Sequence, residues 1–154
     1  MTTPRLQQDS RFKTTALRPL LAALGLLLGG AALAADMELE VQGIASAEGQ
    51  VMVAAYADPA QWLRGKPVAM AMVPASTQRE GRLLLTLRDL PEGRVALSVF
   101  HDRNGNGRLD QNLMGLPTEP YGFSNNATGN FGPPAFEPAS FEVKAGQRAT
   151  LRLN

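Results

Sequence analysis

The 154-residue sequence contains no cysteine. That excludes disulfides, thiolate catalysis and a cysteine-linked lipid anchor. It also removes the softest zinc ligands. There is one histidine, His101. A zinc site needs two or three partners of that kind, which the chain lacks. A serine nucleophile has a single imidazole to draw on, and no G-x-S-x-G element surrounds any serine. Aromatics make up only 6% of the chain, and Trp62 is the one tryptophan. Neither charge predominates: 15 basic and 14 acidic residues leave a formal net charge of +1. No basic patch of the kind that engages phosphates stands out, so no nucleic-acid partner is expected. Long hydrophobic runs are also missing. The apolar core from Leu20 to Leu28 falls short of the roughly 20 residues a membrane span needs.

What the N-terminal part does have is the pattern of an export signal. Arg5, Arg11, Lys13 and Arg18 precede "LLAALGLLLGGAALAA", which closes on Ala32-Leu33-Ala34. A basic start, a short apolar core and a small-x-small end are what a signal peptidase reads. Residues 1–34 are therefore expected to be a cleaved signal peptide; an uncleaved anchor helix is the competing reading. No Arg-Arg pair marks the twin-arginine route. Cleavage leaves residues 35–154 as one domain of ordinary size, monomeric, in the periplasm or outside the cell, with no stable membrane span. A domain of that size buries a core without disulfide staples. Setting aside the four basic residues and one acid of the signal leaves 11 basic and 13 acidic residues, a formal charge of −2.

The remainder reads as short strands. In "MELEVQGI", Met37, Leu39 and Val41 alternate with Glu38, Glu40 and Gln42, the period of a half-buried strand. "SAEGQ" reads as a turn and "QVMVAAYA" as the second strand of a hairpin. "VAMAMV" (68–73), "RLLLTLR" (82–88) and "RVALSVF" (94–100) follow. "SFEVK" (140–144), the turn "AGQ" and "RATLRLN" (148–154) read as a terminal hairpin. Seven short strands between turn signals predict an all-β fold: a seven-stranded antiparallel β-sandwich, immunoglobulin-like or transthyretin-like. One or two helical turns are predicted from Asp58 to about Arg64, with Asp58 as cap and Pro59 in the first turn. Trp62 is read as an anchor over one end of the core.

From His101 to Pro138 neither periodicity holds, which predicts one long ordered loop. Its Leu113, Leu116, Tyr121, Phe123, Phe131 and Phe136 supply apolar surface to fold it onto the sheets. It opens with "HDRNGNGRLDQN" (101–112). Calcium takes six to eight oxygen ligands from a flexible loop. Asp102, Asn104 and Asn106 stand at loop positions one, three and five, Gly107 at six, the Arg108 carbonyl at seven and Asp110 at nine. Position twelve is Leu113 rather than a bidentate glutamate, and the flanks are not helices, so this is no EF-hand. Glu119 is the nearest downstream carboxylate. A weakly bound Ca2+, with a dissociation constant on the order of 10⁻⁴–10⁻³ M, is the expected cofactor. Asn and Asp beside glycine also build Asx turns without any metal. Alternation along the strand places His101 on the face opposite Asp102.

"LPEGRVALSVFHDRNGNGRLDQNLMGLPTEPYGFSNNA", with "FGPPAFEPASF" after it, resembles the bacterial exported family known as domain of unknown function 2141. The resemblance spans about residues 37 to 153 and is most specific over 100 to 136. It implies a small periplasmic or secreted β-sandwich of about seven strands and brings no established activity. Pro120 departs from the glycine expected before Tyr121-Gly122. Tyr121, Phe123, Asn125 and Asn126, in "YGFSNN", suit recognition of a sugar or peptide, and equally suit loop packing. The resulting functional reading is a non-catalytic exported module whose loop is stabilised by calcium and binds an envelope protein or polysaccharide. The alternative is a small hydrolase using Asp110 and Glu119, since carboxylate pairs also cleave glycosides.

Overall fold

A period of two in the sequence becomes a pair of faces in space. In β1 (Ala34–Gln42), Ala35, Met37, Leu39 and Val41 are buried, while the glutamates between them look outward. The computed structural model describes residues 34–154. The expected signal peptide, apart from Ala34, lies outside the described residues. Seven more strands follow: β2 (Gln50–Tyr56), β3 (Ala69–Pro74), β4 (Arg82–Pro91), β5 (Gly93–Asp102), β6 (Tyr121–Phe123), β7 (Ser140–Val143) and β8 (Arg148–Arg152). No helix among the described residues is long and apolar enough to cross a membrane.

The strands form two sheets. One has the order β4-β1-β8. The other has the order β3-β2-β5-β6, with β7 also on β5. β5 is the hub of the second sheet: β2 covers one edge, while β6 and β7 share the other, opposite Ser98–Phe100 and Gly93–Ala96 respectively. Both sheets turn apolar side chains into one core. Leu39, Val41, Leu85 and Leu151 come from the first sheet, and Val53, Leu97, Val99 and Val143 from the second. Each large aliphatic side chain buried this way contributes about 1.5–3 kcal/mol.

The all-β expectation holds, with three corrections. There are eight strands, not seven; β6 has only three residues, too few to show alternation in sequence. The set is not wholly antiparallel, because β1 and β8 pair in parallel from Glu38↔Arg148 to Gln42↔Arg152. Neither expected hairpin forms. β1 and β2 lie in different sheets, as do β7 and β8, so "SAEGQ" and "AGQ" carry the chain across the core rather than back along its own sheet.

The segment after β2 was expected to be helical but forms a run of turns. Asp58 does cap it, its carboxylate accepting from Ala60 N–H at 2.8 Å. Leu63 then takes φ +58, left-handed backbone that ends any helix. The kink lets Trp62 reach down. It does not close an end of the main core. It organises a second apolar cluster with Tyr56, Ala96, Phe123, Phe136 and Ala139. This cluster sits on the outer face of the five-stranded sheet, since Tyr56 and Ala96 alternate with the core-facing Ala55 and Leu97. The indole makes edge contacts with Tyr56, Phe123 and Phe136 at centroid distances of 5.4, 5.8 and 6.1 Å. Its Nε1–H donates to Pro134 O at 2.8 Å. Part of the long segment is thereby fastened to the sheet, including one helical turn, α1 (Phe136–Ala139). Other parts are not: Leu113 and Phe131, expected to fold inward, are fully exposed, and Leu116 is mostly so.

Trp62→Ala removes the hub of this cluster and is expected to cost about 3–5 kcal/mol. Guanidinium unfolding followed by far-ultraviolet circular dichroism measures it. Trp62→Phe should cost less, because it keeps a ring there while orphaning the Pro134 carbonyl.

Candidate functional site

Strand β5 ends at Asp102, whose side chain shares the outer face with Phe100, while His101 turns inward beneath Val99. Both residues are fully buried. His101 Nε2 lies 2.7 Å from Glu48 O. The expected opposition of His101 and Asp102 is therefore present, and the histidine ties β5 to the β1–β2 connection. Gly49 in that connection has φ +68, and a Cβ there would stand 2.0 Å from Asp102 O. The close approach admits glycine alone.

The Asp102 carboxylate is the organising group of the turn. Oδ1 accepts from Asn106 N–H at 3.1 Å. Oδ2 accepts from Gly107 N–H at 2.8 Å and from the Gln50 side-chain amide at 2.8 Å. Gly107 takes φ +79, the left-handed conformation that glycine adopts without steric cost. Burial pushes the Asp102 pKa up, but the hydrogen bonds from Gln50 and from the Gly107, Asn106 and Gly105 amides outweigh it. The net position is below the usual carboxylate range.

Around this turn the sequence-predicted side chains meet. Asn104 Nδ2 donates to Asp110 Oδ2 at 2.6 Å, and Asn106 Nδ2 to Asp110 Oδ1 at 2.9 Å. The amide oxygens are turned to the backbone: Asn104 Oδ1 accepts from Asn106 N–H and Asn106 Oδ1 from Arg108 N–H. The two asparagine amides hold the Asp110 pKa below its usual value, assisted by Arg108. The Arg108 side chain places Nε 3.6 Å from Asp110 Oδ1. Leu109, at position eight, is half-buried.

Glu119 collects backbone amides at the base of the turn. It is buried, and both oxygens receive backbone amides: Arg103 N–H at 2.9 Å and Asp110 N–H at 3.1 Å. Its carboxylate joins the two ends of the turn. Thr118 N–H donates to Asp110 O, and a bridge pairs Gln111 with Pro117. Residues 110–118 thus form a small finger whose tip, 112–116, is closed by Asn112 Oδ1 accepting from Met114 and Leu116 N–H. Among the described residues, no three acidic or imidazole side chains converge as a metal-ligating group. The oxygen set at the turn consists of two carboxylates with amides and carbonyls.

The second candidate group is spread apart. Phe123 is buried against Trp62, and Tyr121 packs edge-on to Phe123 at 5.8 Å. Asn125 Nδ2 donates to Pro138 O and Ser140 O. Asn126 Oδ1 accepts from Arg152 N–H at 2.9 Å. Both asparagines have left-handed φ, +59 and +49. These amides fasten backbone. An open cleft of about 510 Å3 touches Phe123, Asn126 and Arg152 but neither Tyr121 nor Asn125. Gln50 was not singled out in the sequence: it is 52 residues from Asp102, and only the β2–β5 register, Gln50↔Asp102, brings them together.

A family model described as "Uncharacterized protein conserved in bacteria (DUF2141)" matches residues 39–151. The chain belongs to this family. The match takes in the last four residues of β1, all of β2 through β7, most of β8, and both candidate groups, so the DUF2141 domain comprises both sheets and the long segment together. No curated protein and no solved structure matches this DUF2141 chain.

In this DUF2141 domain, Asp102→Asn replaces one acceptor oxygen of a buried carboxylate with a donor facing the N–H groups it accepts. It is expected to cost about 1–3 kcal/mol by chemical denaturation. The Asp102 pKa is depressed in the fold, so its contribution is complete above the ordinary value of 3.8 and is lost as pH falls through the lower folded value. Thermal melts from about pH 7 down to about pH 2 should show an acid-limb loss of stability that is smaller in Asp102→Asn.

Proposed function

We propose that the domain is a non-catalytic β-sandwich module, exported to the periplasm or beyond, whose long loop is stabilised by Ca2+ and binds an envelope protein or polysaccharide. The observation that carries this reading is the convergence of Asn104, Asn106 and Asp110 beside the buried Asp102 carboxylate. These four side chains and the Arg108 carbonyl are all oxygen donors, suited to a hard cation and unsuited to zinc. For the cation, the two asparagine amides turn their oxygens toward Asp110, and Arg108 yields its place beside that carboxylate. Calcium supplies charge neutralisation there and no chemical step. With two carboxylates in the set, binding is weak.

Three further features support the reading. The basic start, apolar core and Ala32-Leu33-Ala34 end of the first 34 residues suit export. The finger holds Leu113, Met114 and Leu116 out in solvent, and exposed apolar side chains grouped on an ordered loop suit a partner surface. Glu119, which a hydrolytic pair needs free, has both oxygens committed to backbone amides, so the geometry favours the binding role.

With a dissociation constant near 0.1 mM, about 2 mM calcium stabilises the fold by roughly 1.8 kcal/mol through mass action. Thermal melts in calcium and in chelator should differ accordingly, and the difference should vanish in Asp110→Ala. Superimposable melts remove calcium from the account.

A further inference from the structure

β3 is an edge strand: it pairs with β2 and with no other strand. Edges invite a further strand, and proteins usually blunt them with charge, a bulge or short length. The edges formed by β4 and β8 carry exposed Arg82 and Arg88, and Arg148 and Arg152. β6 is only three residues long, and Asn154 N–H donates to its Tyr121 O. β3 runs for six residues in regular register with β2. No charged residue lies between Lys66 and Arg79. Val68, Met70 and Met72 are 46%, 61% and 57% exposed.

The register fixes which backbone groups are free. Ala75 N–H donates to Gly49 O at 3.0 Å, one step beyond the Gln50↔Pro74 pair. By alternation Ala69, Ala71 and Val73 bond to β2, while the N–H and C=O of Met70 and Met72 face outward. Pro74, lacking an N–H, also falls on the outward side, where an edge tolerates it.

Charge selects the occupant. Arg64 and Lys66 precede the strand, Arg79 and Arg82 follow it, and all are exposed. None takes part in the two ion pairs found among the described residues. Glu80 is the one acid in that stretch. An antiparallel second copy brings Arg64 and Lys66 against Arg79 and Arg82, and a parallel copy aligns like with like, so both self-pairings are repulsive. We infer that β3 accepts, by strand addition, an extended segment of a different protein with alternating apolar side chains and acidic residues at its ends. This goes beyond the partner-binding reading above: it names a protein partner and a surface that does not involve the calcium loop.

The test uses a nine-residue peptide alternating valine and threonine with two aspartates at each end. Controls are the same peptide with lysines at the ends and one N-methylated at alternate amides. Titrated into 15N-labelled protein, the acidic peptide is expected to bind below about 1 mM and to slow hydrogen exchange at the Met70 and Met72 amides. The lysine-ended peptide should bind at least about tenfold more weakly, the N-methylated one should fail, and Met72→Lys, an exposed change, should abolish binding with the melt unchanged. No binding by the acidic peptide, equal binding of both charged peptides, binding without protection of Met70 and Met72, or self-association of the protein through β3 each overturns the inference. The calcium melt is independent of all of these, so either proposal can fail without the other.

Discussion

A single buried carboxylate sets the course of the chain where regular structure stops. Asp102 sits at the last position of the most heavily paired strand, and its oxygens take up the Asn106, Gly107 and Gln50 N–H groups. The carboxylate is buried, and leaving it without those donors is costly. The carboxylate therefore decides where the chain turns, and it does so from a rigid base, because β5 is held on both edges. Glu119 repeats the device at the far end of the turn, so two carboxylates fix 103–119 by collecting backbone amides rather than by packing apolar surface.

The remainder of the long segment is held differently. Trp62, Phe123 and Phe136 form an aromatic cluster on the outer face of the five-stranded sheet, and buried Ser124 hydrogen-bonds Leu97 N–H and Ala139 O. That sheet is consequently covered on both faces at one end. At the other end the finger projects from the Asp102 turn. The uncovered β3 edge lies on the opposite side of β2 from β5. The three-stranded sheet shows the ordinary division instead, with Glu38, Glu40, Arg148 and Arg152 facing outward over a leucine-rich interior.

Much of this was legible in the residues, for identifiable reasons. Strands β1, β4 and β5 declare themselves by alternation, and the spacing of Asp102, Asn104, Asn106 and Asp110 marks a tight turn with its side chains gathered together. Pairing was not legible. Turn signals such as "SAEGQ" say that the chain reverses, but not whether it stays in its sheet. Gly43 shows how it leaves: a Cβ there would meet Leu153 O at 2.9 Å, so β1 ends hard against the chain beyond β8. β6 was hidden by its brevity, and the helix expected at 58–64 was overridden by the left-handed Leu63 that lets Trp62 reach its cluster. Gln50 carries no signal of its own, because its role comes from a register that only the folded sheet defines.

The Asp102 carboxylate orders the chain from 103 to 118. Backbone 15N relaxation on the wild type and on Asp102→Ala tests this most directly. Order parameters near those of the strands, about 0.8 or higher, are expected at Asn106, Gly107 and through the finger in the wild type, falling below about 0.6 in the variant while β2 and β5 stay rigid. An equally rigid turn and finger in Asp102→Ala would contradict it.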